Sequence, residues 1–271
     1  MKIVQASGQT CNQFWIYSNF IADAIENNEK FAIWIPDAAF EFFPSLLNSE
    51  YISYPLYSKK LVLIFGHKKY VKFLKIILGN TISLRFFNFF FNFFNKQSFI
   101  FADELLEKSK NRIKNIDKIL TSFSPSYSVV SKVDALMNKM HIENEIIIGV
   151  HIRRGDYQTF EGGKYFYDIE QYAVLFHKLT LMMEDKKIFF YIASNEFIDL
   201  SLFQAYNCFY DSNCNMAEDL YSLSKVDFII GPPSTFSAWA ALYGNVPIYF
   251  VEDILSNFNI SDFVDIKDKW F

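Results

Sequence analysis

The chain of 271 residues contains three cysteines, Cys11, Cys208 and Cys214, at spacings that match no metal-ligand pattern. An odd count without a pairing framework argues against a disulfide-stapled fold and leads us to expect a reducing compartment. Positive charge is not in excess either. Lys and Arg number 26 against 30 Asp and Glu, for a net charge of −4. Phosphate-backbone binding needs the opposite balance, so no nucleic acid is expected as the main partner. No uncharged apolar run reaches about 18 residues, so a membrane-spanning helix is not expected. The opening "MKIVQASGQT" lacks a charged-then-apolar leader and reads as a first strand. The ending "DKWF" adds no further domain to the expectation, and no internal repeat is visible. The expected location is the cytoplasm.

What the chain does have is apolar material, 51% of its residues, enough for a sizeable core in one or two domains. "KIVQAS" (2–7) reads as a strand and "GQTCNQ" (8–13) as a loop. "FWIYSNFIADAIENN" (14–28) carries Phe14, Tyr17, Ile21, Ala24 and Ile25 at helical spacing, and "FAIWI" (31–35) reads as a second strand. After residue 140 the alternation is sustained. Strands are expected at 145–152, 187–193, 226–231 and 246–250, with a short one possible at 208–211. Helices are expected at 128–140, 168–184, 217–225 and 234–244. Strands alternating with helices predict a parallel, doubly wound α/β sheet. We divide the chain into 1–140 and 141–271, two α/β halves.

The middle differs. From 61 to 101 it is rich in Phe, Ile, Leu and Lys, and "RFFNFFFNFFNK" (85–96) spaces Asn88, Asn92 and Asn95 along one helical face. Two readings stand: a segment touching a membrane surface or a greasy acceptor, or a buried helix of a helical subdomain.

In open parallel sheets, ligands sit at the C-terminal ends of strands. Three polar segments fall there: "HIRRGD" (151–156), "SNE" (194–196) and "GPPST" (231–235). Ser234 and Thr235 open a helix, where hydroxyls and unpaired N–H groups suit an anion. Arg153 can approach the same anion with a bidentate fork. Each residue also has an ordinary explanation. Ser234 and Thr235 could be helix caps. Arg154 could pair with Asp156 or another carboxylate to hold the loop. His151 could be structural, and Asp219 a first-turn helix acid. Their combination, in order on an α/β background, is what suggests a diphosphate site.

That combination resembles a family. "HIRRGD" matches the His-x-Arg-Arg-x-Asp motif of the α1,2-/α1,6-/protein O-fucosyltransferase superfamily. "DLYSLSKVDFIIGPPSTFSAWAA" is similar to the second shared block of bacterial glycosyltransferase family 11, the α1,2-fucosyltransferases. "GQTCNQFWIYS" is similar to that family's opening. The resemblance implies a GT-B architecture of two Rossmann-like halves, with the helical, Phe-rich insertion in the first. It implies GDP-fucose as donor, inversion at the sugar carbon, no metal or other cofactor, and a galactose-like acceptor in surface-polysaccharide assembly.

Carried over by position, Arg153 would hold the β-phosphate and meet charge on departing GDP. His151 and Asp156 would support the loop and the nucleotide, with Arg154 beside them. Asp219 would read guanine, whose edge offers two adjacent donors. Ser234 and Thr235 would bind the phosphates, with Phe236 packing alongside. Gly8 and Asn12 would close on the donor from the first half. The sequence departs from the family at three places: Thr10 and Cys11 where a second glycine is usual, Ala238 before the retained Trp239, and "GPP" before Ser234. The general base is not assigned, with Asp37, Glu41 and Glu161 the acids near plausible loops. Two further expectations remain open: a transferase using another nucleotide sugar, and a nucleotide-sugar-binding protein without catalysis. A lipid-linked acceptor would place the middle of the chain, 61–100, at the inner membrane face.

Overall fold

The computed structural model describes residues 2–78, 99–102 and 109–267. The chain forms two compact units, Met1–Ser126 and Tyr127–Phe271. The division falls earlier than the sequence reading placed it. The helix Tyr127–Glu143, assigned above to the first half, packs on the helix Met216–Leu223 of the second. Lys132 on the former meets Glu218 on the latter at 2.8 Å. Periodicity showed a helix but could not show which core its apolar face joins.

The first unit holds a parallel sheet of strands β1 (Lys2–Ala6), β2 (Phe31–Ile33), β3 (Ile52–Ser53) and β4 (Phe99–Ala102), in the order β3-β2-β1-β4. The first helix runs Thr10–Asn27, so Thr10–Gln13 are helical rather than loop. Its inner face carries Phe14, Tyr17 and Ile21, all fully buried. The Phe14 ring packs on Phe43 and Phe123 at 4.9 and 4.8 Å between centroids. Helices Lys59–Phe65 and His67–Leu78 follow β3. The second of these covers the sheet with Tyr70, Val71 and Leu74 against Ile3, Ala32 and Trp34. The expected Phe-rich helix at 85–96, with Asn88, Asn92 and Asn95, lies outside the described residues. Among the described residues, no helix is long and apolar enough to cross a membrane.

The second unit is built on β5 (Ile146–Ile152), β6 (Ile188–Ser194), β7 (Cys208–Phe209), β8 (Phe228–Gly231) and β9 (Ile248–Phe250). All pairings are parallel and the order is β7-β6-β5-β8-β9. β5 lies at the centre and is buried from Ile147 onward, which explains its unbroken apolar run. Side chains alternate between the two faces. Ile148, Val150 and Ile152 join Phe190 and Ile192 in a core with Tyr172, Leu175, Phe176 and Leu179 of the helix Ile169–Met182. The opposite face meets the helices Met216–Leu223 and Thr235–Gly244. Gly149 permits that approach, since a Cβ there would sit 2.6 Å from Leu223 Cδ2 and 3.1 Å from Val226 Cγ2. Both units are therefore α/β with parallel sheets, in agreement with the doubly wound reading.

Leu223 is fully buried, so it has little room to retreat from an added methyl. Gly149→Ala is expected to destabilise the second unit by about 1–3 kcal/mol. A chemical-denaturation midpoint unchanged from the natural chain would contradict this packing.

Candidate functional site

The strand order of the second unit reverses direction at β5. One connection leads on to β6 and β7, the other to β8 and β9. The loops leaving β5 and β8 flank this point of reversal at the C-terminal edge, the position where doubly wound sheets bind ligands. The loop after β5 is "RRGDY" and the loop after β8 is "PPS".

The two loops are drawn together by specific contacts. A Cβ on Gly231 would lie 2.5 Å from the His151 carbonyl oxygen and 3.0 Å from its Cβ, so only glycine lets β8 approach β5 this closely. The His151 ring is buried and packs on Phe236 at 5.1 Å. The Tyr157 hydroxyl donates to the Pro233 carbonyl oxygen. Burial, with a smaller contribution from the Arg153 charge, pushes the His151 pKa down to about 3. It is a neutral wedge between the arms, and its buried Nδ1 has no hydrogen-bond partner.

The two arginines behave differently. Arg153 sends Nε and Nη2 to the two oxygens of Asp156, at 2.8 and 2.7 Å, a bidentate fork. Its guanidinium also lies 5.5 Å from the centroid of the Tyr157 ring. Arg154 turns the other way. Its Nη1 donates to the Tyr167 carbonyl at 3.1 Å, and it pairs with Asp168 at 3.5 Å and Glu196 at 3.4 Å. It also stacks on Phe166 at 4.6 Å. Its own backbone N–H donates to Asn195 Oδ1 at 3.2 Å. Arg154 thus holds the loop through carboxylates other than Asp156, and Asp156 belongs to Arg153. The fixed positive charge at the strand end is already met, with three carboxylates facing two arginines.

On the β8 side, Ser234 is the N-cap of the helix Thr235–Gly244. Its hydroxyl oxygen accepts the Phe236 N–H at 3.2 Å. Capping and anion binding at a helix start use the same end of the helix dipole. The Ser234 hydroxyl is thus partly committed, and Thr235 stands at the first helical position.

Asp219 occupies the first turn of the helix Met216–Leu223, on the sheet face that also carries His151. Its Oδ1 accepts the Tyr191 hydroxyl at 2.9 Å. Burial raises its pKa from 3.8 to about 7, against the lowering effect of that hydrogen bond, and Glu218 and Asp211 raise it further. Tyr191 is pushed well above the ordinary tyrosine range, chiefly by burial. Asp219 is therefore more than an ordinary first-turn acid, being a partly buried carboxyl with one oxygen fixed.

Gly8 and Asn12 lie together in the first unit, between β1 and the first helix. Gly8 has φ +77°, and a Cβ there would meet the Asn12 amide nitrogen at 2.6 Å. Beside them Asp37 collects Thr10 Oγ1 (3.1 Å) and the Ala39 N–H (2.9 Å) on Oδ1. Its Oδ2 takes Gln13 Nε2 (3.3 Å) and Lys75 (3.4 Å). These four contacts make Asp37 a structural hub rather than a solvated acid or an available base. Glu41 and Glu161 are exposed. No group of three or more His, Cys, Asp or Glu residues that could hold a metal occurs among the described residues.

Sequence reasoning passed over Tyr157, Tyr191, Asn195 and Glu196 as individual contributors. The "SNE" segment was one of the stretches singled out, and Tyr157 directly follows "HIRRGD". Tyr191 sat inside an apolar strand, where only its out-of-pattern hydroxyl could have marked it.

No family profile matches the chain, and no curated protein matches it. Solved structures do. NodZ fucosyltransferase from Bradyrhizobium is similar with a TM-score of 0.56 at 15% identity, over 97% of this chain and 96% of that one. POFUT1 in complex with GDP-fucose gives 0.55 at 11% identity, over 92% and 97%. FUT1 of Arabidopsis thaliana in complex with GDP gives 0.57 at 10% identity, over 92% and 70%. These neighbours are fucosyltransferases, and at such identities what this chain shares with them is their GT-B-like α/β fold.

The raised pKa of Asp219 has a signed consequence. Its neutral form is the one that suits the folded chain, so the stability it contributes is full below 3.8 and lost as pH rises through about 7. Asp219→Asn keeps an acceptor for Tyr191 and removes the charge. Its thermal midpoint is expected to gain on the natural chain across that window and level off above it. A pH-independent difference would contradict a buried carboxyl.

Proposed function

We propose that the chain is an inverting glycosyltransferase that moves fucose from GDP-fucose to a galactose-like hydroxyl of a glycan, through an α1,2 linkage, in surface-polysaccharide synthesis. The observation that carries this reading is that the loop bearing Arg153 and the Ser234 helix start are held side by side at the switch point, by Tyr157 on the Pro233 carbonyl and by His151 on Phe236. The fold shared with fucosyltransferases supports it, and so does the His-x-Arg-Arg-x-Asp motif.

In the transfer, the acceptor oxygen bonds to the anomeric carbon and the bond from that carbon to the β-phosphate oxygen breaks. The electron pair leaves with GDP, and the acceptor proton passes to a base or to water. Negative charge grows on the diphosphate while the anomeric carbon becomes positive. Preorganised donors aimed at the leaving group lower that barrier. Arg153 offers a planar fork of donors matched to phosphate oxygens, and the helix of Thr235–Gly244 adds its positive end. The diphosphate displaces Asp156 from the Arg153 fork. Asp156 is 47% exposed and returns readily to water. Asp219, with Oδ1 held by Tyr191, reads the donor edge of guanine through its remaining oxygen, and binding draws it to the ionised form. We place the chain in a cytoplasmic setting alongside the nucleotide-sugar pool, as an odd number of cysteines without a pairing framework suggests.

Thermal unfolding with GDP, UDP and dTDP tests the donor class. GDP is expected to raise the midpoint and the pyrimidine nucleotides to leave it unmoved, whereas a shift with UDP alone would overturn the guanine assignment. Arg153→Ala is expected to lower turnover of GDP-fucose by at least about a hundredfold. Unchanged turnover would remove Arg153 from the reaction. GDP-fucose binding without transfer to any galactoside would instead favour a binding protein without catalysis.

A further inference from the structure

The helices Lys59–Phe65 and His67–Leu78 combine two properties that are usually kept apart. Segment 59–78 contains six lysines, 59, 60, 68, 69, 72 and 75, and neither aspartate nor glutamate, in a chain whose net charge is −4. It also leaves large apolar side chains in water: Leu63 (87%), Ile64 (70%), Phe65 (56%), Phe73 (56%) and Ile76 (71%) are exposed. Scattered exposed apolar residues are ordinary, but a concentration of them on one element is not.

The arrangement is directional. His67–Leu78 buries His67, Tyr70, Val71 and Leu74. Lys69, Lys72, Phe73 and Ile76 fall at i, i+3, i+4 and i+7 and share the opposite, outward face. In Lys59–Phe65 no residue is buried. Lys59 reaches Asn48 and Lys75 reaches Asp37. No ion pair engages Lys60, Lys68, Lys69 or Lys72 among the described residues.

We propose that this face binds an anionic lipid bilayer surface. Lysine is depleted in protein–protein interfaces, where aromatic residues, Met and Arg are enriched. Here lysine supplies all the formal charge, and no arginine or tryptophan accompanies it. Lysine can lay its alkyl stem along the apolar residues and lift its ammonium to the headgroup level. Phe, Leu and Ile then enter the acyl boundary while the lysines meet phosphate, as in amphipathic helices that lie in the interface plane. This surface stands independently of the transferase reading, since none of its outward residues belongs to the nucleotide site.

The test uses the full chain and flotation with vesicles of phosphatidylcholine alone or mixed with phosphatidylglycerol. The natural chain is expected to float with the mixed vesicles and not with the neutral ones, and to be released by salt. Replacing Lys60, Lys68, Lys69 and Lys72 with Gln should weaken partition at least about tenfold, and replacing the same four with Arg should restore it. Phe73→Ser combined with Ile76→Ser should weaken it as well, and circular dichroism checks that each variant is folded. Failure of the natural chain to bind the mixed vesicles would overturn the proposal, and so would equal binding by all variants. A concentration-dependent dimer lost in the Phe73 and Ile76 variant, without vesicle binding, would assign the face to a second copy of the chain and equally overturn it.

Discussion

The architecture of the candidate site depends on how closely β5 and β8 approach at their C-terminal ends. Two parallel strands at a point of reversed order normally leave a crevice between diverging loops. Here Gly231 brings the β8 backbone against the His151 carbonyl, and the His151 ring wedges under Phe236 at the start of the next helix. Tyr157 then crosses from the first loop to the second. Because burial keeps His151 uncharged, this wedge does not change with ordinary pH. Position in the loops is thus set by packing, and charge is added to a frame already fixed.

That separation of frame and charge explains the two arginines. An arginine left without a counter-charge in a partly covered site would cost several times what an exposed pair gains. Arg154 meets this need permanently, with two carboxylates, a carbonyl and an aromatic face. Arg153 meets it with one carboxylate three residues away, whose other side is open to water. On our reading of the site, Asp156 keeps the Arg153 guanidinium ordered until a diphosphate takes its place. It gives way to a diphosphate because Asp156, 47% exposed, returns to water while the diphosphate takes over as counter-charge to the largely covered Arg153.

Much of this was legible in the sequence. β5, β6, β8 and the helices between them follow from apolar runs and helical periodicity, and their alternation implies the parallel sheet. Arg153, Ser234 and Asp219 were singled out by their combination at strand ends and helix starts, since each alone has an ordinary structural use. What was not legible came from tertiary context. Thr10 and Gln13 look like loop residues, yet they begin a helix because their side chains are satisfied by Asp37, 27 and 24 positions away. β3 is two residues long, and β4 sits in a Phe-rich run with no period to separate strand from helix. The partner of each arginine could not be read, since Asp156, Asp168 and Glu196 are equally plausible on charge alone. The position of Tyr127–Glu143 was decided by contact with Met216–Leu223, not by its own pattern.

The same distinction bears on the lysine-bearing face of the first unit. An amphipathic helix could in principle turn to hide Phe73 and Ile76. Its inner side prevents this. His67 sits between the Tyr57 hydroxyl, 2.7 Å from Nδ1, and the Asp37 carbonyl, 3.0 Å from Nε2. A carbonyl only accepts, so Nε2 is the donor of that bond. Tyr70 donates to the Leu56 carbonyl at 2.7 Å, and Val71 and Leu74 fill the core beside Trp34. Rotation would break two hydrogen bonds to His67, strand the Tyr70 hydroxyl and expose Val71 and Leu74. The helix is therefore locked by what it buries, and its apolar outward face is a consequence that the fold must either cover or use.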